Sequence, residues 1–242
     1  CRICSRSPMS LKMRSGRSWG RLGMTFDIVQ LCDINIDVID GDRGKNYPHQ
    51  DELLESGHCL FLSAKNVTQN GFLFADNQFI TQKKDELLNN GKLMRGDIVI
   101  TPRGTVGNVA IYSDEVPYDN IRINSGMLII RCGDKIDNYY LYQVLRSKWF
   151  YNQILSIQSG SAQPQLPKSH FLKMTIPMPN MNTQHKIAGV LYSIGNKIAV
   201  NTAIYENLRL QAALICAVDT SIAPFISFGR SVSRMAARLA IS

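Results

Sequence analysis

The sequence contains no run of about 18 consecutive apolar residues, so no transmembrane helix is expected. Its basic N-terminus lacks the apolar core of a secretory signal. Catalytic signatures are missing as well. Gly44-Lys45 and Gly91-Lys92 have neither the upstream glycine nor the following hydroxyl of a phosphate-binding loop. No G-x-G-x-x-G follows a strand pattern, which argues against a dinucleotide fold. The Asn/Asp-Pro-Pro-aromatic tetrapeptide of amino-methyltransferases does not occur. His49, His58, His170 and His185 are far apart, with no H-E-x-x-H among them. Cys1-x-x-Cys4 has no second Cys/His pair at zinc spacing, so no metal site is expected. The six scattered cysteines read as reduced thiols of a cytoplasmic protein. Asp40-Gly-Asp42 beside Lys45 has the parts of a metal-nuclease cluster, but acids flanking a glycine turn are ordinary turn residues. No active site emerges.

Acid is the other scarcity, and it is local. Residues 1–25 carry six Lys/Arg and residues 220–242 carry three, with no Asp or Glu in either. These nine account for the whole formal charge of +8, because the 18 remaining basic residues face all 19 acids. The body of the chain is therefore near neutral, and a basic patch on it must be local. Residues 138–219 are the best place for one, with seven Lys/Arg against Glu206 and Asp219.

What is present suffices for a core. Hydrophobic residues make up 45% of the 242, and the mean hydropathy is -0.10. Residues 1–23 read as a basic, disordered arm upstream of a start at Met24. From there, strands are predicted over Phe26–Leu31, Cys59–Leu62, Ile98–Thr101, Val106–Tyr112, Gly126–Arg131 and Met174–Met178. Turn-rich segments occupy Asp40–Pro48, Pro102–Thr105 and Gly160–Pro167. One amphipathic helix is predicted over Tyr139–Ile154. Short strands with few helices favour an α+β class for residues 24–180.

After Pro179 the pattern changes. Ile187, Leu191, Ile194, Ile198, Asn201, Tyr205 and Leu208, continued by Ala212 and Ile215, alternate in steps of four and three. This is an a/d seam of about four heptads on one long helix over 181–216, capped by Asn182 or Thr183. Such a narrow seam wants a partner helix. An ordinary amphipathic helix folded onto its own domain is the alternative. Past Cys216 the period fades, and Pro224 and Gly229 predict an irregular basic tail over 217–242.

Several stretches together resemble the DNA-specificity subunit of type I restriction–modification systems. They are Gly41–Pro48, Phe61–Val67, Gly96–Ala110, Ile123–Met127, Gly160–Pro167, the exit Ile176-Pro-Met-Pro179, Gln184–Ile187 and Ile204–Leu208. Each alone is weak; their order over residues 26–212 is specific. The resemblance implies one target-recognition domain followed by one spacer helix, half of a full-length subunit. After Ala213 the chain departs from the family's usual aromatic-rich continuation. The implied function is non-catalytic: binding double-stranded DNA and directing methyltransferase and restriction subunits to a target. S-adenosylmethionine would be held by the methyltransferase, and this chain would need no cofactor. Candidate DNA contacts lie on three turns: Arg43, Lys45 and Tyr47; Arg103 and Thr105; Ser161, Gln163, Gln165 and Lys168. Gly104, Gly107 and Gly160 read as turn-permitting residues instead. With its seam helix unpartnered, the chain is expected to form a homodimer in the cytoplasm, apart from any membrane. Two other classes stay open: a recognition fragment of a fused restriction–methylation enzyme, and a helical dimerisation protein that binds no DNA.

Overall fold

Ile98-Val99-Ile100 and Leu128-Ile129-Ile130 are unbroken apolar runs, as expected of strands covered on both faces. The computed structural model describes residues 26–158 and 165–239, and both runs are such strands. In chain order the strands begin with β1 (Asp27–Gln30), β2 (Ile36–Asp40), β3 (Cys59–Leu62), β4 (Val67–Thr68), β5 (Gly71–Phe72) and β6 (Phe79–Ile80). After helix α1 (Gln82–Leu87) come β7 (Ile98–Ile100), β8 (Val109–Ile111), β9 (Ile121–Ile123) and β10 (Leu128–Cys132). Helices α2 (Asn138–Arg146), α3 (Lys148–Gln158) and α4 (Lys168–Phe171) precede β11 (Thr175–Met178) and α5 (Met181–Leu239).

The central sheet is antiparallel in the order β2-β10-β7-β8. Alternation along its strands fixes two faces. Ile98, Ile100, Leu128 and Ile130 pack with Leu141, Leu145, Phe150 and Ile154 of α2 and α3. Val99, Ala110 and Ile129 face the other way, onto Leu60, Leu62, Ile121 and Ile123 of a second sheet ordered β6-β3-β9. The result is an α+β domain with a helical layer, a central sheet and a smaller sheet. Strand β1 pairs antiparallel with β11, Asp27 opposite Met178. Burial pushes the free thiols of Cys59 and Cys132 up to about 12, so both stay protonated.

Two local expectations change. The single helix predicted over Tyr139–Ile154 is two helices, because Ser147 ends one and starts the next. Its hydroxyl donates to the Val144 carbonyl (2.6 Å) and accepts from the Phe150 amide (3.2 Å). Helix α5 is capped two or three residues earlier than expected: the Asn180 side chain accepts from Thr183 N at 3.0 Å. The basic arm and Cys1-x-x-Cys4 lie outside the described residues.

The chain divides into two units, one ending at Gly189 and one beginning at Val190. The first turns of α5 belong to the first unit. There Ala188 is buried, and Ile187 packs against the main core. Gln184, 1% exposed, accepts from Asp137 N (2.9 Å) and donates to the Pro179 carbonyl (2.8 Å). In the second unit, the helix passes Cys216 and continues through Pro224 and Gly229 to Leu239, where the sequence predicts an irregular tail. An interior proline removes one helical hydrogen bond. Against it stand the strong helix formers Met235-Ala-Ala-Arg-Leu239.

A charged chain of contacts braces the first unit from within. Arg122 on β9 pairs with Asp85 through Nε and donates to the carbonyls of Asn90 (2.7 Å), Asp85 (2.8 Å) and Leu88 (3.0 Å). Lys92 shares the Asp85 carboxylate. Burial works against that charge, yet the bonds from Lys92 and Arg122 hold the Asp85 carboxyl below its ordinary value. The segment so fixed presents the amides of Asn89 (2.8 Å) and Asn90 (3.4 Å) to Asp42, which also accepts from Gly44 N at 2.7 Å. The Gly44 amide is the main reason the Asp42 carboxyl sits below the usual carboxylate range, with burial opposing and the other amides adding.

Two outcomes follow for stability. A carboxylate with a depressed native pKa stabilises the fold above its unfolded pKa, and the gain is lost as pH falls through the native value. Asp42→Ala is therefore expected to cost about 1.5–3 kcal/mol at pH 7. In urea unfolding, the gap from the parent chain should narrow at about pH 3; an undiminished gap would show that charge is not the cause. Gln184→Ala strips a partner from the partly buried Asp137 amide and should cost about 1–3 kcal/mol in the same measurement.

Candidate nucleic-acid interface

Register across the central sheet decides which loops meet. Asp40 ends β2 opposite Leu128, which begins β10; Leu128 also faces Ile100, the end of β7, and Ile100 faces Val109, the start of β8. Loops 41–48, 101–108 and 124–127 therefore leave one end of one sheet. Gly41 is required there: a Cβ would meet the Asn124 carbonyl oxygen at 2.0 Å, so two loops touch backbone to backbone.

The 101–108 loop is braced inside and exposed at its tip. Thr101 is fully buried; its hydroxyl donates to the Thr105 carbonyl, and its own carbonyl accepts from Gly107 N at 2.9 Å. Gly104 holds φ +70 and Gly107 φ +88, values that favour glycine, as the turn reading expects. This turn lifts Arg103 and Thr105 into solvent. The third loop docks alongside it. Leu166, 1% exposed, donates its amide to the Pro102 carbonyl at 2.9 Å, and Gln165 forms an antiparallel bridge with Arg103.

Asp40 ties the first loop to the third. Its Oδ1 lies 3.6 Å from Arg43 Nη2, and its Oδ2 lies 3.8 Å from Lys168 Nζ. Arg43 also donates to the Ser125 carbonyl (3.2 Å), and Lys168 to that of Val38. Of the residues expected at the interface, Arg43, Arg103, Gln165 and Lys168 are thus brought together, with Lys45 and Thr105 exposed on the same loops. Tyr47 is committed elsewhere: its ring packs edge-on to Phe61 at 5.7 Å, against the cluster of Cys59, Ile80 and Leu88. Ser161, Gln163 and Gly160 lie outside the described residues. Asp40 and Asp42, which the sequence presents as ordinary turn residues, brace the loops of the site instead. Their only signal was acid on either side of a glycine at a strand end.

This arrangement puts cations and amides on backbone that the sheet and core hold rigid. Guanidinium and ammonium groups in such positions bond phosphate oxygens, and Arg and Gln reach base edges in pairs. No group of three or more His, Cys, Asp or Glu among the described residues is placed to hold a metal.

On the helix, Ile194, Ile198, Tyr205 and Leu208 are 49–64% exposed, Asn201 is exposed and Leu191 partly so. Ile187 leaves the seam, because it packs on its own domain. Val190, Val200, Ile204 and Leu210 are exposed too, so apolar surface extends beyond the a/d positions. No described helix is long and apolar enough to cross a membrane.

The chain is 25% identical over 195 residues to the MjaVIII specificity subunit of a type I restriction enzyme from Methanocaldococcus jannaschii. That match covers 78% of this chain and 44% of that protein. It is 32% identical over 97 residues to the MjaIX specificity subunit of the same organism, covering 40% of this chain and 21% of that one. The chain thus spans less than half the length of these relatives. The type I restriction–modification S subunit from M. genitalium has a similar fold, with a TM-score of 0.50 at 18% identity over 72% of this chain and 40% of that one. A chain from a study of type I restriction–modification complex assembly gives 0.52 at 17%, over 76% and 42%. The family model described as the type I restriction modification DNA specificity domain matches residues 24–210, most of the length, and the chain belongs to that family.

Proposed function

We propose that the chain is one DNA-reading half of a specificity subunit, which directs methyltransferase and restriction subunits to a target half-site. The observation that carries this reading is the convergence of three loops at one end of a rigid sheet, with Lys45 and Arg103 exposed on two of them and Arg43 and Lys168 drawn to Asp40. The chain recognises and does not catalyse. S-adenosylmethionine belongs to the methyltransferase in this scheme, and the assembly works in the cytoplasm. The likeness to named specificity subunits supports the partners, and the exposed seam supports a second copy. Burying Ile194, Ile198, Tyr205 and Leu208 on pairing is worth roughly 1.5–3 kcal/mol for each aliphatic residue. Two copies pairing antiparallel about a two-fold axis place two equivalent recognition domains on an interrupted palindrome.

A pool of random double-stranded DNA, selected against the chain with its methyltransferase, is expected to yield one short motif. A recovered pool without a shared motif would overturn the reading. Arg103→Ala should relax one position of that motif by about 1–3 kcal/mol; a uniform loss across sequences would mark a phosphate contact instead. Light scattering at micromolar concentration should give a dimer mass. Asn201→Ile, which removes an amide side chain from the seam, should raise dimer stability. A monomer, or an asymmetric recognition sequence, counts against the paired arrangement.

A further inference from the structure

Asp40 is an acid placed between cations of two of the converging loops. It is 42% exposed, and its two carboxylate oxygens face cations from different loops, Arg43 at 3.6 Å and Lys168 at 3.8 Å. Both cations are held a second time by backbone carbonyls, of Ser125 and Val38. Lys45 and Arg103 stand on adjacent turns with no side-chain hydrogen bond or ion pair among the described residues. The four cations thus fall into two classes, two restrained and two available. A surface selected only for attraction to a polyanion gains nothing from Asp40, which neutralises its neighbours and repels phosphate.

We infer that Asp40 is a specificity-determining positioning residue: it withholds Arg43 and Lys168 from the phosphate backbone and leaves contact with DNA to Lys45 and Arg103. This rests on the DNA-reading function proposed above. The physical ground is the origin of non-specific affinity, which comes almost wholly from phosphate contacts that release counterions. Specificity is a difference of affinities, and weakening the wrong complex raises it as surely as strengthening the right one. Asp40 does the former by keeping two cations engaged within the protein. It also fixes their reach, since one carboxylate joins the loop after β2 to the loop before α4.

The test uses the full chain, Asp40→Asn, and the double variant Arg43→Gln/Lys168→Gln, each titrated with random-sequence and selected duplexes over a range of salt. Asn keeps the shape of Asp and removes the charge. Each freed phosphate contact steepens the log–log salt dependence by about 0.9. Two of them make Asp40→Asn lose about twelvefold more affinity than the parent chain between about 50 and 200 mM salt. Its preference for the selected duplex should fall at low salt. The double variant should bind random duplex with the parent's salt slope, and in the Asp40→Asn background it should abolish the gain. An unchanged slope in Asp40→Asn, or a shallower one in the double variant alone, overturns the inference. Selection of a motif by the parent chain together with either of these results removes Asp40's role and leaves the reading function standing. A parent chain that prefers no sequence removes the reading itself, while the slopes on random duplex still report whether the two cations are withheld.

Discussion

Arg122 lies between Ile121 and Ile123 on β9, where alternation alone would turn a charged residue toward water. Instead it is 6% exposed, and its guanidinium gathers the Asp85 carboxylate and three carbonyls from the end of α1 and the turn beyond. That turn holds the amides that bind Asp42, and Asp42 shapes the first loop of the interface. Rigidity at the surface is inherited from an ion pair in the interior. A buried pair of this kind adds little net stability relative to an apolar replacement, but losing one partner strands a charge. Its value lies in fixing direction: a planar fork with five donors leaves the turn one arrangement.

Charge is accordingly used in two ways between residues 40 and 168. Asp85, Arg122 and Lys92 are shut away and serve geometry. Asp40, Arg43 and Lys168 stay partly exposed at the surface, where one carboxylate faces two cations that backbone carbonyls hold a second time. The same residue types therefore act as frame or as surface according to burial alone.

Much of the domain is legible in the sequence because it rests on short-range signals. Ile98-Val-Ile100 and Cys59–Leu62 announce buried strands by composition, and the proline and glycine of Pro102-Arg-Gly-Thr105 announce a turn that φ +70 at Gly104 realises. The seam residues Ile194 to Leu208 are legible by period. What escapes is whatever depends on a distant neighbour. Periodicity assigns Ile187 to the seam, yet the helix's first turns fold onto the domain and claim it for the core. Nothing local in Tyr139–Ile154 reveals that the Ser147 hydroxyl will serve two helices at once. Tyr47 looks like a groove-reading aromatic until Phe61 arrives beneath it. The clasp of Lys168 onto the end of β2 joins residues 130 positions apart, beyond any window of sequence.

The pairing of β1 with β11 has a topological consequence. Asp27 and Met178 are opposite one another, so the chain enters and leaves the recognition unit through two hydrogen-bonded neighbours. A segment anchored in this way behaves as a cassette. Its two ends are held side by side by main-chain pairing, so the separation of entry and exit is set by that pairing and not by the loops between them.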